Sequence, residues 1–316
     1  MSRSLIVVDA GCDVPNGILQ TESVAVLPVR LVLGGEKSLD LRNPLHTAEQ
    51  LALLDQARPG WCQTEVLSAR ETLDFLHEQL RTLGPPILAL HTSAQRSKMY
   101  DCMRRAVSTL RSDPLTEAVA SRIGVQDSGA SSAGYGVQLI DILEQRQRGM
   151  DWTQLQRRAH NNTRNTHTFT VPSKPEFVAA YARSRGIRNV SSAKLLATRL
   201  FNIAPILYAT QTATRVVSRR FGTVRAREVL FAKLRRVITE ERLFSPHVVL
   251  SYGGPLNDVD FMPGYQNLVG LAQQRGISVH VATMSMSNAI NLGPRALSAG
   301  FLAMQEHGNE LSSHYY

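Results

Sequence analysis

The chain has 316 residues, of which 43% are hydrophobic and 19% charged, and its formal net charge is +9. This composition excludes wholesale disorder, and no apolar run approaches the roughly 18 residues that cross a bilayer. The first apolar run, residues 5–8, ends at Asp9 and is too short for the core of a signal peptide. We therefore expect a cytoplasmic protein that is long enough for two domains.

The sequence contains no recognisable catalytic or metal-binding motif. Cys12, Cys62 and Cys102 cannot all form disulfides, which favours a reducing compartment. The nine histidines show no spacing typical of a metal site, and no phosphate-binding loop or nucleophile elbow is present. We expect a protein that is not an enzyme and that needs no metal or cofactor.

Strands and helices alternate in the first half of the chain. Apolar runs predict strands at residues 4–8, 25–33, 87–90 and 124–126. Helical spacing predicts helices at residues 47–57, 68–83, 93–110 and 133–146, with Thr47 and Ser68 as N-caps. This order indicates an α/β domain with a largely parallel sheet. Ligands bind at the carboxyl ends of such strands, so the candidate site comprises residues 9–15, 62–68, 91–100 and 127–136.

The second half of the chain has a different pattern. A polar stretch at residues 157–167 predicts a boundary between an N-terminal domain of residues 1–160 and a C-terminal domain of residues 161–316. The predicted strands are residues 166–171, 206–214, 215–222, 248–252 and 277–282. The predicted helices are residues 175–183, 192–201, 225–240, 265–274 and 296–304. We expect an α+β domain with a mainly antiparallel sheet.

The positive charge is concentrated in one segment. Residues 183–236 contain thirteen Lys or Arg and one acid, Glu228, so this segment carries +12 and the remainder −3. Such a segment either binds an anionic partner, a membrane surface or nucleic acid, or forms a solvated helix face. Few aromatic residues lie among its arginines, which argues against specific binding of single-stranded nucleic acid.

Seven sequence blocks share their order and spacing with one known family. They are DAGCDVP at 9–15, resembling D-S-x-x-D-L-P; LPVR with LGG at 27–35; TEVLS at 64–68, resembling T-S-Q-P-S; HTSAQRSKMY at 91–100, resembling H-L-S-S-x-L-S-G-T-Y; DSGASSAGYG at 127–136, resembling D-S-x-x-x-S-x-G-x-G; NIAPI at 202–206, resembling N-I-K-P-I; and LGPRAL at 292–297, resembling the end of H-T-G-P-G-A-L. On these blocks the chain is identified as a member of the DegV family, bacterial proteins that bind long-chain fatty acids.

The resemblance implies two domains that enclose an acyl chain, with its carboxylate held by hydroxyl groups and a histidine. In some bacteria such proteins present the bound fatty acid to a separate kinase that phosphorylates the carboxyl group. Thr64 and Ser93 fall on the family's carboxylate-binding hydroxyls. Ser97, Ser128 and Gly293 belong to the same blocks and are further candidates, although we expect Ser128 to organise its loop.

Several positions depart from the family pattern near the expected head group. Asn291 replaces the family's histidine, Lys98 replaces a glycine, and Glu65 follows Thr64. The family's basic residue falls on Arg188, or with strict spacing on Asn189. Lys98 or Arg188 would therefore have to supply the missing positive charge.

These features leave three functional interpretations open. The first is a non-catalytic carrier of a long-chain fatty acid, with the segment that begins at Arg215 and ends at Arg236 as the docking face for a partner kinase. In the second, the same fold binds a different amphiphile because the head-group site has changed. The third is an interaction protein that acts through its basic surface.

Overall fold

The computed structural model describes residues 4–21, 24–82, 84–184, 201–240 and 242–304. Within these ranges the strands are β1 Leu5–Asp9, β2 Val24–Leu27, β3 Val29–Leu33, β4 Glu36–Asp40, β5 Cys62–Glu65, β6 Ile87–His91, β7 Ile123–Asp127, β8 Thr166–Val171, β9 Ile203–Ala209, β10 Thr214–Phe221, β11 Leu243–Tyr252, β12 Ser278–Thr283 and β13 Leu297–Ala303. The helices are α1 Asn16–Leu19, α2 Pro44–Gln56, α3 Ala69–Thr82, α4 Met99–Ser112, α5 Glu117–Ala120, α6 Ser132–Gln147, α7 Trp152–Asn165, α8 Pro175–Ser184, α9 Thr223–Thr239, α10 Asn257–Asp260, α11 Tyr265–Gln274 and α12 Met286–Leu292.

The first sheet is parallel, with the strand order β2-β1-β6-β7. Its strands are apolar on both faces, as expected for a sheet that helices cover on each side. Helices α3 and α4 pack on one face, and α6 and α7 pack on the other. The expected α/β fold of the N-terminal half is confirmed.

The second sheet has six strands in the order β10-β9-β8-β13-β11-β12. All neighbouring pairs are antiparallel except β11 and β12. Helices α9 and α11 cover one face and enclose the largest apolar cluster, while α6 packs against β8, β11 and β13 on the other face. The expected antiparallel character of the C-terminal half is confirmed, and α6 contributes to the cores of both sheets.

A third, small sheet was not expected from the sequence. Its order is β4-β3-β5, and it is antiparallel. The prediction of one strand over residues 25–33 was wrong, because Pro28 separates β2 in the first sheet from β3 in the third. Proline has no N–H to donate and therefore interrupts a strand that lies inside a sheet.

Two further predictions of elements were wrong. Residues 297–303 form the central strand β13 and not a helix; all seven are buried, and an apolar run that is buried on both faces shows no period by which to tell it from a helix. The N-cap of α2 is Asn43 and not Thr47, since the Asn43 side chain accepts hydrogen bonds from two first-turn N–H groups.

Other boundaries differ less. Helix α4 begins at Met99, because residues 93–98 form a turn. The reciprocal cap between Ser68 and Glu71 is confirmed. Residues 157–167 contain the end of α7 followed directly by β8, so the site of the domain boundary stays a prediction. The predicted helix at residues 192–201 lies almost wholly outside the described residues, which resume at residue 201.

Candidate functional site

A pocket opens where the parallel sheet meets the six-stranded sheet, and we call it the threonine pocket. It encloses about 470 Å³, including the space open to solvent. Loops that follow β6 and β7 form one wall, and β8, β9 and the turn before β10 form the other. Its lining residues are Arg96, Gly129, Ala130, Ser131, Ser132, Thr166, Thr168, Thr170, Leu207, Ala209, Thr210, Thr214 and Leu292. Most of these residues carry a hydroxyl group or another polar group.

Three threonines of β8 form the floor of the pocket, because alternate residues of a strand project to the same face. The hydroxyl of Thr166 donates to a main-chain carbonyl of α7, and the hydroxyl of Thr170 contacts Ser298 Oγ at 3.2 Å. Thr168 is only 7% exposed, yet its hydroxyl makes no hydrogen bond to a described residue. The floor of the pocket therefore presents a hydroxyl that has no protein partner and that a ligand could reach.

The start of α6 forms the side of the pocket. A Cβ atom on Gly134 would lie 2.0 Å from Thr168 Oγ1, and one on Gly136 would lie 2.0 Å from the carbonyl oxygen of Asp13. The two glycines of the D-S-x-x-x-S-x-G-x-G block therefore let α6 approach both β8 and the loop after β1. Ser131 occupies the N-cap position, but its side chain makes no capping hydrogen bond.

The turn at residues 93–98 brings Ser93 and Arg96 to the pocket. The main-chain N–H of Ser93 donates to the carbonyl of Ala130 at 2.8 Å, and the carbonyl of Ser93 accepts from the N–H of Arg96 at 2.8 Å. Ser93 is 2% exposed, and its hydroxyl has no hydrogen-bond partner among the described residues. Arg96 Nη2 donates to Thr214 Oγ1 at 2.7 Å, which connects the turn to the six-stranded sheet.

Two carboxylates hold the loops at the ends of the parallel strands. Asp9 accepts hydrogen bonds from the N–H and the hydroxyl of Thr92 at 2.6 and 2.7 Å. Asp127 Oδ1 accepts from the N–H groups of Gly129 and Ala94 at 2.8 and 3.2 Å. These carboxylates position the loops that form the pocket wall.

A second polar site lies next to the threonine pocket, and we call it the Asp13 cluster. Asp13 is fully buried. Its Oδ2 accepts from Ser132 Oγ at 2.8 Å, Ser251 Oγ at 2.6 Å and Asn288 Nδ2 at 3.0 Å, and its Oδ1 accepts from the N–H of Ser285 at 2.9 Å. The cluster joins the loop after β1 to α6, β11 and α12.

Ser97 and Ser128, candidates from the blocks at 91–100 and 127–136, adjoin the pocket-lining residues Arg96 and Gly129 in the chain. The hydroxyl of Ser128 exchanges hydrogen bonds with the main chain of Ala130, which agrees with a loop-organising role. Ser97 Oγ accepts from the N–H of Met99 at 3.2 Å. Lys98 is exposed and does not line the pocket.

The candidates from the other blocks are more dispersed. Thr64 is exposed on β5 and does not line the pocket, and the adjacent Glu65 faces Arg30 and Lys37 at 3.7 and 3.5 Å. Asn291 lies half-buried on α12, where its Nδ2 donates to the carbonyl of Ser287 at 2.9 Å.

Gly293 ends α12 with a φ of +87°, and a Cβ there would lie 2.9 Å from Ser173 Oγ, so glycine is required for backbone reasons. Leu292, which stands between Asn291 and Gly293, lines the pocket. Arg188 and Asn189 lie outside the described residues.

The sequence reasoning missed Arg96 and Thr168. Arg96 stands at the leucine of H-L-S-S-x-L-S-G-T-Y, so a comparison of that block at each position would have found it. Thr168 gave no such signal, because a threonine in a strand is ordinary. Only the packing of α6 on β8 shows that its hydroxyl lies in a pocket.

The cysteines are not activated nucleophiles. Burial raises the pKa of Cys62 to about 11 and raises the pKa of Cys12 well above its usual value, so both thiols stay protonated near neutral pH. Among the described residues, no group of three histidine, cysteine or acidic side chains is arranged to hold a metal ion. None of the described helices combines the length and the apolar character needed to cross a bilayer.

The basic segment is divided between β10 and α9. Arg215, Arg219 and Arg235 are exposed. In contrast, Arg227 is half-buried; its Nη2 donates to the carbonyl of Arg295 at 2.6 Å, and its guanidinium lies 5.3 Å from the ring centre of Tyr252. The exposed arginines thus form a basic surface on β10 and α9, whereas Arg227 packs against Tyr252.

A family model described as "Uncharacterised protein, DegV family" matches residues 3–304. A DegV domain-containing protein of Xanthomonas axonopodis pv. citri is 27% identical over 304 residues, which cover 94% of this chain and 96% of the relative. The chain therefore belongs to the DegV family, as the sequence blocks indicated.

Solved structures share the fold. A DegV family protein from Thermus thermophilus, described by its fatty acid binding, has a TM-score of 0.74 at 19% identity and covers 96% of this chain and 100% of its own. A protein from Eubacterium ventriosum, described as binding stearic acid, has a TM-score of 0.76 at 14% identity and covers 95% of this chain and 98% of its own.

Proposed function

We propose that this protein binds a long-chain fatty acid without transforming it, with the head group in the threonine pocket. The observation that carries the proposal is a pair of hydroxyls without a hydrogen-bond partner among the described residues: Thr168 in the pocket lining, and Ser93 on the turn that bonds to pocket-lining Ala130. A buried carboxylate needs such donors. Relatives of the same fold are described as fatty-acid-binding proteins.

The acyl chain would supply most of the affinity. A buried methylene is worth about 0.8 kcal/mol, so a sixteen-carbon chain offers on the order of 10 kcal/mol before the cost of association. The division into two domains near residue 160, with the acyl chain enclosed by the C-terminal domain, belongs to the same proposal. Of the residues carried over from the family, Ser93 is favoured because its N–H donates to the carbonyl of pocket-lining Ala130, and Asn291 is favoured because it precedes pocket-lining Leu292.

Titration with sodium hexadecanoate tests this proposal directly. Delipidated protein is expected to bind one equivalent, and binding is measured by isothermal titration calorimetry. Ser93→Ala is expected to lower the affinity. Ser108→Ala, on helix α4 that packs on the parallel sheet, is the matched control and should leave the affinity unchanged. Absence of binding to hexadecanoate and to octadecenoate would overturn the proposal.

The polar lining favours a second candidate ligand. Hydroxyl and guanidinium groups outnumber apolar side chains in the pocket, which suits an amphiphile whose polar part is larger than a carboxylate. Competition between hexadecanoate and 3-hydroxyhexadecanoate distinguishes the two. At least tenfold tighter binding of the hydroxy acid would favour the second candidate, since one added hydrogen bond is worth about this much.

We further propose that the exposed face of β10 and α9 docks a kinase that phosphorylates the bound fatty acid, with the cell interior as the place of action. Arg219 and Arg235 are exposed cations on this face. The double variant Arg219→Glu/Arg235→Glu is expected to bind hexadecanoate normally but to be phosphorylated slowly by the fatty acid kinase of its own organism. Arg105→Glu on α4 is the control, and unchanged phosphorylation of the double variant would end this part of the proposal.

A further inference from the structure

Two positions near the proposed head group differ from the family pattern in whether the residue can carry a positive charge. Asn291 replaces a histidine of the family pattern, and Arg96 replaces a leucine. Arg96 lines the threonine pocket, as does Leu292, which follows Asn291 in α12. Arg96 therefore brings a positive charge to the pocket that lies next to Asn291, the position of the histidine in the family pattern.

We propose that Arg96 binds the carboxylate head group of the ligand, together with the Thr168 hydroxyl and the N-terminus of α6. The inference rests on the proposed function, because it names the residues that hold the acid. It also revises the expectation from the sequence, in which Lys98 or Arg188 was to supply the charge.

Arg96 is placed to take this role. Its turn is fixed by the hydrogen bond from the Ser93 N–H to Ala130, and its guanidinium is directed toward the second sheet by the bond to Thr214 at 2.7 Å. A guanidinium has five N–H donors in a planar fork, which allows it to bond several acceptors at once and suits the two oxygens of a carboxylate. Lys98 is exposed and does not line the pocket.

The start of α6 adds a favourable field to the same place. The first N–H groups of a helix have no partner within the helix, and its dipole favours an anion there. The side chain of Ser131 does not satisfy them. A helix N-terminus alone does not define a site, but here the hydroxyl of Thr168, which is 7% exposed and has no partner among the described residues, faces the first turn of α6 at Gly134.

Asp127 is the acidic residue nearest in the chain to this wall. Its Oδ1 is directed into the loop, where it accepts from the N–H groups of Ala94 and Gly129. A ligand carboxylate would instead meet Arg96, the Thr168 hydroxyl and the first turn of α6. All of these groups are donors or favour negative charge.

The test compares an acid with the alcohol that has the same tail. Binding of sodium hexadecanoate and of hexadecan-1-ol to delipidated protein is measured by displacement of a fluorescent fatty acid. Arg96→Met is expected to weaken hexadecanoate by about tenfold to a hundredfold, as for loss of a charge-assisted hydrogen bond, and to leave hexadecanol within about twofold. Lys98→Met, the matched control, is expected to leave both affinities unchanged.

The outcomes separate this inference from the proposed function. The inference is overturned if Arg96→Met binds hexadecanoate normally, or if it loses equal affinity for the acid and the alcohol. Both results leave the proposed function standing. A wild-type protein that binds neither ligand overturns the proposed function itself. Thr168→Val provides an independent variant of nearly the same shape; it is expected to weaken the acid selectively, and unchanged discrimination would contradict the role of the pocket floor.

Discussion

The Asp13 cluster and the threonine pocket are adjacent polar regions at the start of α6, but their hydrogen bonding differs. Asp13 accepts four hydrogen bonds from protein donors, and Ser132 supplies one of them. In the pocket the hydroxyl of Thr168, and on the adjoining turn the hydroxyl of Ser93, have no partner among the described residues. An acceptor that several protein donors share stabilises the fold, whereas a hydroxyl that faces a cavity without a protein partner is available to a ligand. We expect the Asp13 cluster to serve folding, and we propose that the threonine pocket serves binding.

The largest expected effect is the loss of stability when the Asp13 cluster is disrupted. Asp13→Ala removes the acceptor that four donors share and leaves the buried Arg42 guanidinium without the carboxylate 3.7 Å away, so the free energy of unfolding should fall by about 3–5 kcal/mol. Urea denaturation followed by circular dichroism measures the change. Asp74→Ala, at an exposed position of α3, is the control and should stay within about 0.5 kcal/mol of wild type. A loss for Asp13→Ala as small as that of the control would contradict a scaffolding role.

The next prediction uses the opposite face of β8. His167 is buried against Tyr208 and Phe301, and burial lowers its pKa to about 4 from a usual value of 6.5. The unfolded chain therefore binds a proton between pH 6.5 and 4 that the folded protein does not, and stability falls as pH falls through this window. Protonation of His167 should therefore lower the free energy of unfolding by about 3 kcal/mol between pH 7 and pH 4.

Urea denaturation between pH 7 and 4 measures this dependence. His167→Phe should show a shallower decline than wild type, although it should be less stable at pH 7 because Tyr208 loses its 2.6 Å partner. Parallel curves for the two proteins would show that the histidine does not titrate as described.

Ser93 and Ser128 lie on the loops after β6 and β7, and we expect the first to serve binding and the second to serve folding. Ser93→Ala should lower the affinity for hexadecanoate by about tenfold with little change in stability, because its hydroxyl has no protein partner. Ser128→Ala should lower stability by about 1 kcal/mol with little change in affinity, because its hydroxyl bonds the main chain of Ala130. The two variants are compared by calorimetric titration and urea denaturation, and the reverse pattern would refute the assignment.

The smallest expected effect concerns Lys98. Because Lys98 is exposed and lies outside the pocket lining, Lys98→Ala should leave the affinity for hexadecanoate within about twofold, since exposed charges interact weakly through solvent. A clear loss of affinity would restore the sequence-based view that Lys98 replaces the family's histidine.

The sequence predicted much of the architecture because the period of the elements and their order follow from local chemistry. Buried strands such as β1 and β6 are short apolar runs with polar ends, and Ser68 with Glu71 has the spacing of a capping box. It failed where tertiary context decides. Strand β13 is buried on both faces because α6 packs on one face and the apolar cluster under α9 and α11 covers the other, and no local signal distinguishes that burial from a helix.

For the candidate site, too, local sequence predicted some residues, whereas others depend on tertiary packing. The loop blocks identified Ser93 and Ser128, since strand-end loops of a parallel sheet converge. They could not show that Thr64 is exposed on β5 or that Thr168 faces the start of α6. Those facts depend on how the three sheets pack, and this packing has no counterpart in local spacing.

The most direct test of the central claim is native mass spectrometry of the protein purified from a bacterial host, together with mass spectrometry of its organic extract. The account predicts a near-stoichiometric mass increment that matches a long-chain fatty acid recovered in the extract. A protein that is purified empty, and that takes up neither hexadecanoate nor octadecenoate when they are added, would contradict it.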